Sequence, residues 1–211
     1  MTQTDAKFWD KHARRYAAAK IRNVAAYEHT LSRTRSYLKP IDRVLELGCG
    51  TGTTALALAG SVAQITGTDV SPEMVRIADE KANAAGQTNA TFRVATVQQA
   101  LAGAGPVDAI LAFNLLHLLE GAAAASALAL AALPKGGYFI TKTPCLADPS
   151  LGLKRFAFAA IIPPLGGIGL APAMRRLTFA DLERQIAGAG FEIVETGSFP
   201  AISRFIVARK P

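Results

Sequence analysis

From Arg43 onward, short apolar runs alternate with stretches of helical period, and no other feature of this chain restricts its fold as strongly. The runs Arg43–Leu47, Gln64–Asp69, Ala90–Val94, Val107–Ala112 and Gly137–Thr143 read as buried strands. Between them, Thr53–Ala59, a segment from Ser71 to Gly86, Val97–Leu101 and Glu120–Leu133 read as helices. Ser71-Pro72 supplies an N-cap followed by proline at the first helical position, where a missing N–H costs nothing. Strands alternating with helices imply a parallel sheet covered on both faces, because each crossover helix must pack on one of them. The end of the chain breaks this rhythm. Thr178 and Asp181 form a capping-box pattern for a helix ending at Gly190. Phe191–Thr196 and Ile202–Ala208 follow, joined by a short Gly-Ser-Phe-Pro turn, so the last strand is expected to run antiparallel to its neighbour.

The 211 residues suit one such domain. Two further helical patterns, Asp5–Lys20 and Ala25–Leu38, precede it, so residues 1–40 are expected to form a helical cap and residues 41–211 the α/β domain. Half of the residues are apolar and 18% are charged, which excludes a disordered chain. Two cysteines, Cys49 and Cys145, and three scattered histidines make neither a disulfide framework nor a metal site. The net charge of +7 favours anionic partners without naming one. Met1–Lys20 lacks the apolar core of a signal peptide, so a cytoplasmic location is expected.

The segment Glu46-Leu47-Gly48-Cys49-Gly50-Thr51-Gly52 follows the first strand. Glycines at alternate positions let the backbone turn tightly and approach a ligand, and the next helix points its N-terminal amides into the same space. A dinucleotide loop would need glycine where Thr53 stands. An acidic residue two positions before the first glycine disfavours a pyrophosphate and suits a cationic group. Asp69, at the carboxyl end of the neighbouring strand, can accept both hydrogen bonds of a ribose diol. Together these residues describe a cationic nucleoside, and S-adenosyl-L-methionine has every part of it.

Val44–Gly52 resembles the first motif of the class I S-adenosylmethionine-dependent methyltransferases. Asp69-Val70-Ser71-Pro72-Glu73-Met74 resembles their second motif, Val107–His117 their fourth-strand motif, and Leu133-Pro134-Lys135-Gly136-Gly137 the turn before their fifth strand. The resemblance runs from about residue 40 to the end, in the right order. It implies a Rossmann-like doubly wound sheet of seven strands, mostly parallel with an antiparallel last strand. It also implies that Glu46, Gly48 and Gly50 line the methionine end, that Asp69 holds the ribose, and that Val70 and Met74 touch the adenine; Cys49 belongs to the same cofactor loop, most simply as a small filler. The family often has an acidic residue after the third strand; here Ala95-Thr96-Val97 stands in its place, so the contact with the adenine amine must come from backbone at Thr96 or Val97, or from the nearby Gln98. In similar enzymes an N-terminal tyrosine closes over the cofactor. Tyr16 is therefore preferred to Trp9 for that role, although ordinary packing would explain either ring. Asn114 is expected to touch cofactor or substrate. His117 is the candidate general base near neutral pH if the methyl acceptor is a hydroxyl, or else a histidine that merely holds its loop.

Pro144-Cys145 invites a cytosine-C5 methyltransferase reading, but Phe113-Asn114-Leu115-Leu116 lacks the proline and cysteine such enzymes use. It also lacks the Asn-Pro-Pro-Tyr pattern used to methylate amino groups of bases. The dispersed basic residues argue against a nucleic acid substrate, and a small-molecule methyl acceptor is expected. About 34 residues separate the fifth strand from the Thr178 helix, a length that suggests a functional element, an apolar lid at about 144–177. Within it, Phe156–Met174 has no charge across 19 residues, but Pro163, Pro164 and Pro172 would break a spanning helix. Lys154-Arg155 and Arg175-Arg176 bracket this stretch, which suits a substrate-covering lid, a peripheral membrane contact through residues 154–176, or an added core layer.

Overall fold

The apolar runs pair into one sheet. In the computed structural model, which describes residues 3–157, 160 and 174–211, the strands are β1 (Arg43–Leu47), β2 (Gln64–Asp69), β3 (Ala90–Val94), β4 (Ala109–Phe113), β5 (Tyr138–Pro144), β6 (Glu192–Gly197) and β7 (Ser203–Arg209). Their order is β3-β2-β1-β4-β5-β7-β6. β1 to β5 pair in parallel, and β7 runs antiparallel to both β5 and β6. The central strands are apolar almost throughout because both their faces are covered: every residue of β4 is buried. Edge strand β6 alternates and carries an irregularity between Ile193 and Glu195, which limits its use as a template for a further strand.

The helices are α1 (Gln3–Ala18), α2 (Val24–Arg35), α3 (Thr53–Ala59), α4 (Pro72–Ala84), α5 (Val97–Ala102), α6 (Ala122–Ala132) and α7 (Phe179–Gly188). Side chains alternate across each strand, so successive residues feed different cores. Val44 and Leu111 join Leu31 of α2 and Leu58 of α3 on one face. Leu45 and Ile110 join Ala129 of α6 and Leu182 and Ile186 of α7 on the other. Leu182 and Ile186 are four residues apart and fully buried, each contributing about 1.5–3 kcal/mol. α1 lies on α4, where Ala13 meets Met74 and Ile77. α2 is fixed to the edge of the sheet by Arg33, which donates to both carboxylate oxygens of Glu195 while the Tyr37 hydroxyl donates to one of them.

The fourth strand begins two residues later than its apolar run, because its ladder to β1 opens at Val44 and Ala109. Asp108 is held just outside it, its amide donating to the Arg43 carbonyl and its carboxylate accepting from the Arg43 amide. The helix after Ser71 ends at Ala84, and Gly86 follows in the left-handed conformation that closes such helices.

Of the expected lid, residues 158–159 and 161–173 lie outside the described residues, and with them most of the uncharged stretch. Its two ends are joined at the base. One Asp148 oxygen accepts from the Ser150 amide and hydroxyl, and the other accepts from the Phe179 amide at the start of α7. Burial pushes the Asp148 carboxyl up, but these hydrogen bonds outweigh it and hold the group below its ordinary value. Among the described residues no helix is long and apolar enough to cross a membrane.

Candidate functional site

The carboxyl ends of β1, β2, β4 and β5 open onto a cavity of about 290 Å³, at the edge where ligands of such sheets bind. β1 ends in the glycine loop. Gly48, Gly50 and Gly52 have φ of +64°, +53° and +72°, conformations that L side chains adopt at a cost. Gly52 is also hemmed in: a Cβ there would sit 2.7 Å from Phe92 and 2.8 Å from Ala78.

β2 delivers Asp69. Its Oδ2 accepts from the Gly50 amide at 3.0 Å and its Oδ1 from the Ser71 amide at 3.0 Å. Each oxygen keeps a further lone pair for a ligand. Burial raises the Asp69 carboxyl, and the amides of Ser71, Gly50 and Val70 oppose that shift. Ser71 caps α4 by accepting from the Met74 amide, and its hydroxyl donates to Asp10 of α1. Asp10 also accepts from the Glu73 amide. This contact seats α1 on the start of α4 and brings Trp9 and Tyr16 to the cavity wall.

β4 delivers Asn114, which has φ of +54° and donates its amide to the Lys142 carbonyl at 2.7 Å. Asparagine is among the few residues that tolerate that conformation. The chain then forms a 3-10 turn over Leu116–Leu118, and His117 lines the cavity. The His117 carbonyl accepts from the Arg175 amide at 2.6 Å, so the end of the 144–177 segment returns beside it, with Met174 on the wall. Burial holds the imidazole down to about 4, which leaves it neutral near pH 7. Its Nδ1 has no hydrogen-bond partner among the described residues.

Tyr16, Gly48, Gly50, Asp69, Met74, Asn114 and His117, all singled out from the sequence, thus line one cavity. Glu46, Cys49, Val70, Thr96 and Val97 are not on its wall. Val97 and Cys49 are buried, and Thr96 is committed to a capping box with Gln99. The wall also includes Phe113, Leu115, Leu118, Pro144 and Met174, which the sequence reading did not assign to the site, and Trp9, which it set behind Tyr16. Cys145 is fully buried, and burial pushes its thiol up to about 12, which leaves no thiolate to act as a nucleophile.

The residues fit S-adenosylmethionine. The loop cradles a ligand with backbone, and Asp69 offers acceptors beside it. Glu46 is buried at the foot of the loop with Oε2 unpartnered among the described residues. Burial raises its carboxyl to about 8, opposed by the Ala55 amide in the first turn of α3. Glu46 thereby faces a helix start whose own N-cap, Gly52, offers no side chain. A ligand ammonium nearby would favour the ionised form. Binding then releases a proton below about pH 8, and affinity for S-adenosylhomocysteine should rise with pH by up to about tenfold per unit until that value is reached. For the empty protein the sign is opposite. Folding takes up a proton between 4.5 and about 8, so this group's contribution to stability is lost as pH rises through that window. Calorimetric titrations across that range should show the slope in wild type and its absence in Glu46→Gln; equal slopes would detach Glu46 from the ligand.

Residues 44–137 match the family model of a methyltransferase domain. A ubiquinone biosynthesis O-methyltransferase of Methylocella silvestris is 31% identical over 134 residues, which are 62% of this chain and 50% of that protein. A 23S rRNA (uracil(1939)-C(5))-methyltransferase of Shewanella sediminis is 40% identical over 72 residues, 33% of this chain and 16% of that protein. This chain therefore spans half or less of the length of these curated relatives. Magnesium protoporphyrin IX methyltransferase of Synechocystis, solved with bound S-adenosylhomocysteine, shares the fold with a TM-score of 0.74 at 21% identity over 99% of both chains. The ordered motifs, the glycine loop facing Asp69, the seven-stranded sheet and the matching domain model converge: residues 44–137 are a methyltransferase domain, and the chain has the fold of methyltransferases solved with bound S-adenosylhomocysteine.

Proposed function

We propose that this protein transfers the methyl group of S-adenosylmethionine to a hydroxyl oxygen of a small apolar molecule. One observation carries the reading: a single cavity is lined by Gly48, Gly50 and Asp69 together with apolar side chains and His117, whose buried Nδ1 has no partner among the described residues. When bound, S-adenosylmethionine supplies an activated methyl on a sulfonium, so positioning does most of the work. Phe113, Leu115, Leu118 and Pro144 favour an apolar acceptor and exclude water. His117, neutral near pH 7, accepts the hydroxyl hydrogen at its imidazole and takes the proton as the new C–O bond forms. Residues 1–40 act as the cap, with Trp9 and Tyr16 closing the cavity. The oxygen specificity in the name of the Methylocella relative agrees with this assignment.

The test uses labelled S-adenosylmethionine with a long-chain alkylcatechol, the matching amine and the matching thiol, and counts label in the organic extract. The catechol should be methylated in preference. His117→Ala should lower kcat for it by about a hundredfold or more, and wild-type kcat should show no histidine limb near 6.5, since His117 loses its proton at about 4. Unchanged kcat in His117→Ala would remove the base. The membrane reading of residues 154–176 rests on Lys154, Arg155, Arg175 and Arg176 beside an uncharged stretch. The same assay in anionic vesicles at low salt tests it, and protein that stays in the supernatant counts against it.

A further inference from the structure

Lys81 lies in the third turn of α4 and makes no ion pair among the described residues. Its Nζ instead donates to the Thr51 carbonyl at 3.1 Å, the Thr51 hydroxyl at 2.8 Å and the Thr53 hydroxyl at 3.1 Å. An ammonium has three protons, and all three are spent on Thr51 of the glycine loop and Thr53 at the start of α3. Thr51 is 2% exposed, so without Lys81 a buried hydroxyl and the carbonyl between two left-handed glycines would lose their fixed partner.

The same helix grips the loop a second time. Ser71 begins α4 and holds Asp69, which holds the Gly50 amide. α4 thus takes hold of residue 50 through its first turn and residue 51 through its third. Its own position is set by Asp10 of α1, the helix that brings Trp9 and Tyr16 over the cavity.

We infer that Lys81 is a positioning residue for cofactor binding: it locks the glycine loop, from behind, into the shape that receives the methionine end of S-adenosylmethionine. The inference rests on the cofactor reading above. Lys81 touches neither cofactor nor acceptor in this role, so its loss should act on binding and not on the methyl-transfer step.

The experiment compares wild type, Lys81→Met and Lys81→Arg at a temperature where circular dichroism shows all three fully folded. Calorimetric titration with S-adenosylhomocysteine is expected to show about ten- to a hundredfold weaker binding in Lys81→Met, with part of the loss recovered in Lys81→Arg. In the labelled-methyl assay the KM for S-adenosylmethionine should rise by the same factor while kcat holds. A purely structural lysine would lower Tm and leave both affinities of the folded protein unchanged, and that result overturns the inference. A loss confined to kcat overturns it as well. Should Lys81→Met fail to fold, Thr51→Val removes the 2.8 Å bond with little change of shape and faces the same criteria. Failure of wild type itself to bind S-adenosylhomocysteine would count against the cofactor reading, whereas normal wild-type binding with equal binding by Lys81→Met would count against Lys81 alone.

Discussion

Asp69→Ala should weaken binding of S-adenosylhomocysteine at least a hundredfold, with the protein still folded. Hydrogen bonds to a charged acceptor contribute about 1.5–3 kcal/mol each, and a ribose diol offers two, so a loss of about 3 kcal/mol is a lower expectation. The variant also releases the Gly50 and Ser71 amides, loosening the loop and the start of α4 together. Asp69→Asn should not rescue it. Both carboxylate oxygens accept from backbone amides, so the new NH₂ must face a donor wherever it turns. Calorimetry on the three proteins checks this, and a loss below about fivefold in Asp69→Ala would mean that Asp69 serves the loop and not the ribose.

Gly52→Ala should be the most damaging methyl group that can be added to the glycine loop. The φ of +72° costs a non-glycine residue roughly 1–2 kcal/mol, and forcing a Cβ to within 2.8 Å of Phe92 and Ala78 adds overpacking of about 1–3 kcal/mol. Ala78 is a fully buried helix residue and cannot step aside without moving α4. Urea unfolding should therefore show a loss of about 2–5 kcal/mol. Gly86→Ala is the comparison, because it shares a positive φ of 62° but meets nothing within 4 Å. Equal losses in the two variants would show that conformation alone, without the close approach, fixes glycine at position 52.

These residues also show what the sequence could and could not disclose. β1, β2 and β3 coincide with their apolar runs because Gly48, Ser71-Pro72 and the Thr96 cap end them chemically, at fixed places. β4 starts two residues later and ends one later than its apolar run, because its bounds are set by pairing with β1, which no local pattern records. Glu46, Gly48, Gly50 and Asp69 were legible for a related reason: strand-end carboxylates and alternating glycines are costly unless something uses them. Their distribution was less so, since Glu46 is buried below the cavity while Asp69 lines it. The resemblance ranked Tyr16 ahead of Trp9, but both rings line the cavity, with centroids 6.2 Å apart. Thr96 carried a readable signal of another kind: Thr96-Val97-Gln98-Gln99 is a capping-box pattern, and its hydroxyl is spent on the Gln99 amide. Lys81 gave no signal at all. It lies thirty residues from Thr51, and only the packing of α4 against the loop brings them together.

Trp9 is the sole tryptophan of the chain, and its ring lines the cavity. Cofactor occupancy can therefore be read from intrinsic fluorescence without a label. Titration of wild type with S-adenosylhomocysteine should give a saturable, single-site change in tryptophan emission, matched by calorimetric heat and shifted about a hundredfold or more to higher ligand concentration in Asp69→Ala. A folded wild-type protein with neither an emission change nor heat would contradict the assignment of this cavity to S-adenosylmethionine.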